Sequence, residues 1–388
     1  MKFQGTKVKE NIDVLFIAAN ARSLLHNRGR LIGSMKAQGL SVAALVPSYD
    51  YIEEVEKLDI PIEKYDLDRH SLNPFDFISQ LSGLIRKVKH LAPKAVFCYS
   101  IKPIALGAVA ARLSGVKYVF SLVTGLGYAY CADGLKPRLV RVASRFLYGI
   151  AAVVGDLFIF QNEDDKKELS KGWLFKLADV LGKKKIVVGG SGVDIEEYPY
   201  QPVPTEGFSF LCMARLIKEK GVIEYAEAAK EVKEDFPDTT FYLAGPIDEN
   251  LVTAINRDTV TRWEKQHGIT YLGQVSDVNK WIGSSTVFVL PSYREGTSRA
   301  ILEAMSIGRP ILTTNVPGCR GPVVNGVNGY LAEAKDVKTL KNLMIRMLNE
   351  KEQLQAMGLA SRNRIKEVYE VEKVNANMLE AMNEYLAQ

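Results

Sequence analysis

The sequence predicts an α/β protein built from two doubly wound domains. Three observations lead to that reading. Short apolar runs alternate with amphipathic stretches of helical period through the first half of the chain. The same rhythm restarts in the second half. A Pro- and Gly-rich stretch, YPYQPVPTEG (198–207), separates the two series. Strands buried on both faces read as unbroken apolar runs, and parallel strands need a crossover, usually helical, between them. The chain's 388 residues, 47% hydrophobic and 24% charged, suit two domains of ordinary size.

In the first half, IDVLFIAA (12–19), SVAALVP (41–47), KAVFCYS (94–100), KYVFSLV (117–123) and DLFIFQN (156–162) predict buried parallel strands. Helical patterns lie between them. In LNPFDFISQLSGLIRKVKHLAP (72–93), Phe75, Ile78, Leu81 and Ile85 recur at helical spacing. A weak strand at KKIVVGG (184–190) and the Pro/Gly-rich stretch form the joint. FSFLCMA (208–214), TTFYLAGP (239–246), GITYLG (268–273), TVFVLPS (286–292) and PILTT (310–314) are the strands of the second half, and the chain ends in helices. The expected domains are 1–197 and 198–370, with 371–388 a helix crossing back to the first. Open α/β sheets bind ligands beyond the carboxyl ends of their strands. Two such domains facing one another place a central cleft there.

The remaining composition excludes several classes. The longest apolar stretch, FLYGIAAVVGDLFIF (146–160), carries Asp156 and is broken by Gly149 and Gly155, which suits a core helix followed by a strand. The N-terminal apolar run is interrupted by Asp13 and leads straight into strand–helix patterning, so it reads as a first strand. None of the four cysteines has CxxC spacing, and no histidine stands at ligand spacing from them, which predicts a reduced, cytosolic protein without structural zinc. Residues 1–200 carry a net charge of +7 and residues 201–388 a net charge of −2. Within 86–145, eleven basic residues face one acid, Asp133. Such a stretch is either a solvated face or the footprint of an anionic partner: phosphate, membrane surface or nucleic acid.

The most informative segment is PSYREGTSRAILEAM (291–305). A strand ends at a proline, and Glu295 occupies the turn. Gly296, Thr297 and Ser298 open a helix, and Glu303 follows two turns in. Backbone N–H groups at a helix N-terminus bind anions or hydroxyls. The glutamates would repel a diphosphate, but they can accept hydrogen bonds from ribose and sugar hydroxyls. Alone, each could be a turn residue or a solvated helix residue; their arrangement suggests a site. In FLCMARLIKEKGV (210–222), Arg215 follows a strand and Lys220 precedes the next helix. Two cations there suit a diphosphate, the guanidinium as a fork and the ammonium as a point charge.

Two further turns contribute candidates. AANARSLLHNRGRLIG (18–33) clusters Arg22, Ser23, Arg28 and Arg30 after the first strand, with His26 nearby, and lacks the GxGxxG of a nicotinamide dinucleotide site. YSIKPIALG (99–107) and SLVTGLGY (121–128) direct Lys102, Thr124, Gly125 and Gly127 toward the same edge, although ordinary turn chemistry also explains the glycines. Asp66-x-Asp68 resembles a metal–nucleotide pattern, but it stands early in the wrong kind of domain.

The chain resembles the retaining GT-B glycosyltransferases of family 4. PSYREGTSRAILEAM looks like that family's E-x7-E motif, MARLIKEKG its Arg-x4-Lys diphosphate site, and SGVDIEEY its segment after the interdomain strand. SLLHNRGRLI, RHSLNPF, YSIKP and VTGLGY look like the branch that builds bacterial lipid-linked glycans, including α-1,3-N-acetylgalactosaminyltransferases acting on undecaprenyl-diphosphate sugars and related O-antigen and capsule transferases. The resemblance implies an acceptor-binding first domain and a donor-binding second one. It implies that Glu303 holds the ribose, that Glu295 lies against the transferred sugar, and that N–H groups of Gly296, Thr297 and Ser298 contact sugar and diphosphate. Arg215 and Lys220 neutralise the leaving diphosphate, so no metal or other cofactor is needed beyond the UDP-sugar donor. Gly245 and Val275 join the donor site, and Ser23, Arg28, Thr124 and Gly125 the acceptor side. One departure stands out. Many relatives carry a histidine in the segment matched by Tyr99–Lys102; here Lys102 is the nearest polar candidate.

A lipid-linked acceptor gives the basic stretch a new meaning. KPRLVRVASRFLYG (136–149) sets Lys136, Arg138, Arg141 and Arg145 beside Leu139, Val142, Phe146 and Leu147, as in helices that lie on anionic bilayers. The expected location is cytoplasmic, peripheral on the inner face of the plasma membrane. The competing readings are a GT-B sugar-nucleotide epimerase and a silent sugar-nucleotide or nucleic-acid binder. The missing histidine argues against the first. Intact Arg215, Lys220, Glu295 and Glu303, with no aromatic-plus-basic RNA motif, argue against the second.

Overall fold

The computed structural model describes residues 11–68, 73–131, 134–248, 251 and 253–387. The start of the RHSLNPF motif (69–72, with His70), Asp133 and the first ten residues lie outside them. The chain divides into two compact units, one of them Gly192–Val371 together with a short segment around Tyr130. The other holds most of the chain up to Ser191 and resumes at Glu372.

In the first unit, strands β1 (Val14–Ile17), β2 (Val42–Val46), β3 (Ile62–Lys64), β4 (Ala95–Tyr99), β5 (Tyr118–Val123), β6 (Leu157–Phe160) and β7 (Lys184–Val187) form one sheet in the order β3-β2-β1-β4-β5-β6-β7. Every pairing is parallel: Val14, for example, is flanked by Val42 and Ala95. The inner strands β1, β2, β4 and β6 are buried along their whole length, as their unbroken apolar runs require. The last helix, Val371–Leu386, places Val374, Met378, Leu379 and Met382 in the same core as Val14, Phe16, Val42 and Phe97.

The second unit repeats the scheme with β8 (Ser209–Met213), β9 (Thr240–Ala244), β10 (Ile269–Gly273), β11 (Val287–Leu290), β12 (Ile311–Thr314) and β13 (Gly329–Ala332), in the parallel order β10-β9-β8-β11-β12-β13. In both sheets the order reverses once, between β1 and β4 and between β8 and β11. The turns leaving those strands diverge to opposite faces and leave a crevice at their carboxyl ends.

Three features differ from the sequence reading. KKIVVGG is not part of a joint: β7 pairs with β6 and completes the first sheet. Its half-buried edge position explains the weak apolar signal and the two lysines. β3 and β13 escape notice because one is IEK and the other GYLA, too short for a periodic signal. In the helix Pro74–Leu91 the buried stripe is Leu84, Val88 and Leu91, while Phe75 is 80% and Ile78 63% exposed. The helix carries two adjoining apolar stripes, and spacing alone does not say which one meets the protein.

The Pro-rich stretch is fastened to the second unit by Arg309. This fully buried guanidinium donates to the carbonyls of Pro202 (2.7 Å), Ser285 (2.9 Å) and Gly283 (3.0 Å), and also to that of Gln201. Burial lowers its pKa to about 10.

Candidate active site

The turns after β8, β9 and β11 are stitched together by backbone contacts. Gly245 holds φ at +140°, and a Cβ there would lie 1.8 Å from the Ala214 carbonyl oxygen, so only glycine lets the β9 turn approach the end of β8. Leu216 N–H then donates to Pro246 O (3.1 Å). Gly221, at φ +69°, presses against the Pro291 carbonyl, where a Cβ would lie 2.0 Å away. Tyr293 N–H reaches Glu219 O at 2.9 Å. The turn carrying Lys220 is thereby fixed against the turn carrying Glu295.

The side chains follow from that register. The Lys220 ammonium donates to Glu295 Oε1, and the Ser292 hydroxyl donates to the same oxygen at 2.8 Å. Both members of the ion pair are largely buried. Arg215 projects from the end of β8, exposed, and makes no ion pair with a described residue. The two cations are therefore not equivalent: Arg215 carries its full charge outward, whereas Lys220 is partly neutralised by Glu295.

Ser298 caps the helix Arg299–Ile307, and its own N–H donates to Gly318 O at 3.2 Å. Glu295 N–H donates likewise to Pro317 O at 3.0 Å. The Ser298 N–H is thus committed within the protein, a correction to its expected contact with sugar or diphosphate. Its contribution is to start the helix. Val275 sits just past β10, half-buried on the core beneath β8, β9 and β11.

Glu303 is neither solvated nor alone. Its Oε1 accepts from the Tyr198 hydroxyl (3.0 Å) and from Arg299 Nε (2.7 Å), and the carboxylate is largely buried. Burial pushes its pKa above the ordinary carboxylate value, against the pull of Arg299 and Tyr198. The Tyr198 phenol is pushed up by burial and by the Glu303 charge. Burial opposes the charge on Arg299, and Glu303 more than restores it. Sequence reasoning missed Tyr198 and Arg299. The Arg299–Glu303 spacing of four on one helix was a visible signal; Tyr198, over a hundred residues away, gave none.

The first unit gathers a second polar cluster at its carboxyl edge. The Ser23 hydroxyl lies 3.1 Å from the Tyr99 hydroxyl. The buried Arg28 donates to Ser191 Oγ (3.1 Å), which also accepts from Gln161 (3.3 Å), and the guanidinium lies 5.5 Å from the Tyr99 ring centre. Burial raises the Tyr99 pKa to about 12. Ser23 and Arg28 are thus brought together through Tyr99. Thr124 and Gly125 follow β5, beside β4. Lys102 donates to the Asp68 carbonyl, and burial lowers its pKa. Ser100 before it adopts φ 71° and ψ 152°, backbone nearly reserved for glycine, a strain of about 1–3 kcal/mol. On the basic helix, Arg145 is held by Glu168 at 2.6 Å, so it is not a free cation.

Comparison with known proteins places both regions. Residues 195–364 match the family described as glycosyl transferases group 1, and residues 28–155 match the glycosyl transferase 4-like domain. The chain is 31% identical over 301 residues to the UDP-Gal:alpha-D-GlcNAc-diphosphoundecaprenol alpha-1,3-galactosyltransferase of Escherichia coli, covering 74% of this chain and 73% of that one. It is 28% identical over 352 residues to the N,N'-diacetylbacillosaminyl-diphospho-undecaprenol alpha-1,3-N-acetylgalactosaminyltransferase of Campylobacter jejuni, covering 87% and 90%. Among solved structures, a sucrose-phosphate synthase from Thermosynechococcus elongatus superposes with a TM-score of 0.79 at 15% identity, over 97% of this chain and all (100%) of that one. HepE of Anabaena, solved with UDP and glucose, gives 0.75 at 14% identity, over 96% and 100%. These structural likenesses establish the GT-B fold.

Proposed function

The chain belongs to the group 1 glycosyl transferases, and from that premise we propose that it moves a hexose or N-acetylhexosamine from a UDP-sugar to an undecaprenyl-diphosphate-linked saccharide. The anomeric configuration is retained, and the product enters a bacterial surface polysaccharide, such as an O-antigen or capsule, or a protein glycan. The observation that carries this reading is the meeting of Lys220, Ser292, Glu295 and the helix bearing Glu303 at the carboxyl ends of β8 and β11.

The division of labour follows from the charges. Arg215, exposed and without an ion-pair partner among the described residues, takes the outer phosphate oxygens as a fork. Lys220 faces both the diphosphate and Glu295, and Glu295 keeps it aimed. As the sugar–phosphate bond stretches, negative charge grows on the diphosphate and the two cations stabilise it, an interaction of which one member is worth about 3–4 kcal/mol. These cations supply the charge for which other transferases use a divalent ion. Glu303, oriented by Tyr198 and Arg299, accepts from the ribose hydroxyls. Gly245 and Val275 line the same edge. Gly296 and Thr297 lie beside the transferred sugar.

In the first unit, Ser23, Arg28, Thr124 and Gly125 face the acceptor, with Lys102 in the place of the histidine many relatives carry. A lipid-linked acceptor sets the protein on the inner face of the plasma membrane, held by the basic first unit. Incubation with a panel of UDP-sugars and a short undecaprenyl-diphosphate saccharide, read by mass spectrometry of the lipid, tests the reading. One donor should add a single sugar to the lipid. Epimerised nucleotide without a lipid product would overturn it.

A further inference from the structure

The helix Leu135–Val154 shows water a continuous apolar stripe: Leu135 is 73%, Leu139 60%, Val142 62% and Phe146 50% exposed. Their spacing of four, three and four residues puts them on one face. A soluble protein rarely leaves such a row uncovered. Beside it, Lys136 and Arg138 are exposed and form no ion pair with a described residue, and the helix contains no acid. The next helix along this surface, Trp173–Val180, packs tightly on the first. A Cβ at Gly149 would lie 2.6 Å from Leu174 Cβ, and one at Gly172 would lie 3.3 Å from the Arg145 side chain. That contact brings Gly172, the residue before Trp173, against Arg145, the residue before Phe146, and Trp173 is itself 67% exposed. Trp173 begins a second exposed row with Leu177 and Val180.

We infer that these two helices form a bilayer-insertion surface, in which the apolar rows enter the headgroup–acyl boundary and Lys136 and Arg138 select anionic headgroups. The combination of an apolar face, cations flanking it on a helix that carries no acid, and an exposed tryptophan matches an anionic bilayer in both charge and polarity, and the Asp179 carboxylate of the second helix is neutralised by Lys185. The inference rests on the proposed peripheral location and changes its physics. Attachment is chiefly apolar, with electrostatics as a guide, and Arg145, tied to Glu168, takes no part.

The test uses the full chain and vesicles of phosphatidylcholine with or without phosphatidylglycerol. The wild type should sediment with phosphatidylglycerol vesicles and keep most of its binding in high salt. Trp173 is the exposed one of the protein's three tryptophans, so vesicle binding should shift its emission to the blue, and Trp173→Phe should abolish that shift. Leu139→Gln/Val142→Gln should lower partitioning by about tenfold or more, since apolar burial dominates interfacial binding. Lys136→Gln/Arg138→Gln should remove the preference for phosphatidylglycerol. Neither variant should change UDP affinity or transfer to a water-soluble short-chain acceptor. Complete release of the wild type by salt, or unaltered binding of Leu139→Gln/Val142→Gln, would overturn the inference. So would a dimer in sedimentation velocity that those substitutions dissociate, because the stripe would then be a subunit interface. Vesicle binding in a protein that transfers no sugar would sink the proposed reaction and leave the insertion surface standing.

Discussion

The helices Arg299–Ile307 and Leu135–Val154 are both amphipathic in sequence and opposite in the structure. The first buries Ile301, Leu302, Ala304 and Met305, and it pairs Arg299 with Glu303. The second turns Leu135, Leu139, Val142 and Phe146 to water and leaves Lys136 and Arg138 without ion-pair partners among the described residues. Periodicity reports that a helix has two faces; it does not report what covers them. Where the charges are internally satisfied, the helix serves a fixed site. Where an apolar row and exposed cations lie outside, the helix is open to a partner such as the proposed bilayer.

The comparison can be broken most decisively at Lys220. Lys220→Ala removes one of the two cations proposed to face the diphosphate and leaves Glu295 buried beside it. Turnover should fall by about 10²–10³, the cost of losing one preorganised charge partner. Steady-state kinetics with the preferred UDP-sugar measures this, and a loss below tenfold would mean that Arg215 alone does the work. The matching change on the helix Leu135–Val154, Lys136→Gln/Arg138→Gln, should leave the same kinetics untouched with a soluble acceptor.

A second break concerns the frame of the site. Arg309→Ala strands four carbonyl groups that now share one buried guanidinium. Urea unfolding should show a loss of about 3 kcal/mol, with vesicle binding by the first unit unaffected.

A smaller effect sharpens the account of Glu303. Tyr198→Phe removes one donor to its carboxylate and should weaken UDP binding by about fivefold, equivalent to roughly 1 kcal/mol. Because burial raises the Glu303 pKa, it takes up a proton at a higher pH than an ordinary glutamate does. If Glu303 accepts from the ribose as proposed, protonation removes that acceptor, so UDP affinity should decline on acidification beginning above 4.5, the ordinary glutamate value. Calorimetry across pH should show this decline in the wild type and a flatter profile in Glu303→Gln. The smallest expected effect is that of chelation: with Arg215 and Lys220 in the proposed roles, turnover should survive EDTA.

Much of this arrangement was legible in the chain. The inner strands of both sheets carry their unbroken apolar runs, and PSYREGTSRAILEAM and MARLIKEKG mark the turns that the structure brings together. What remained hidden depends on contacts distant in sequence. Nothing near Tyr198 announces its hydroxyl bond to Glu303. The pairing of Lys220 with Glu295 follows from Gly221 lying against Pro291, a tertiary contact. β7 reads as a weak strand because an edge strand needs only half an apolar pattern, and its pairing with β6 is not visible in the sequence. Arg145 looked like its neighbours in the basic row until Glu168 was found beside it.

Retaining transfer of a sugar from UDP to a lipid-linked saccharide leaves a signature in the proton NMR spectrum of the isolated lipid product. One new anomeric signal should appear with the small coupling of an α linkage, matching the α configuration of the donor. A β-linked product, or a UDP-sugar consumed without any new glycosidic signal on the lipid, would contradict it.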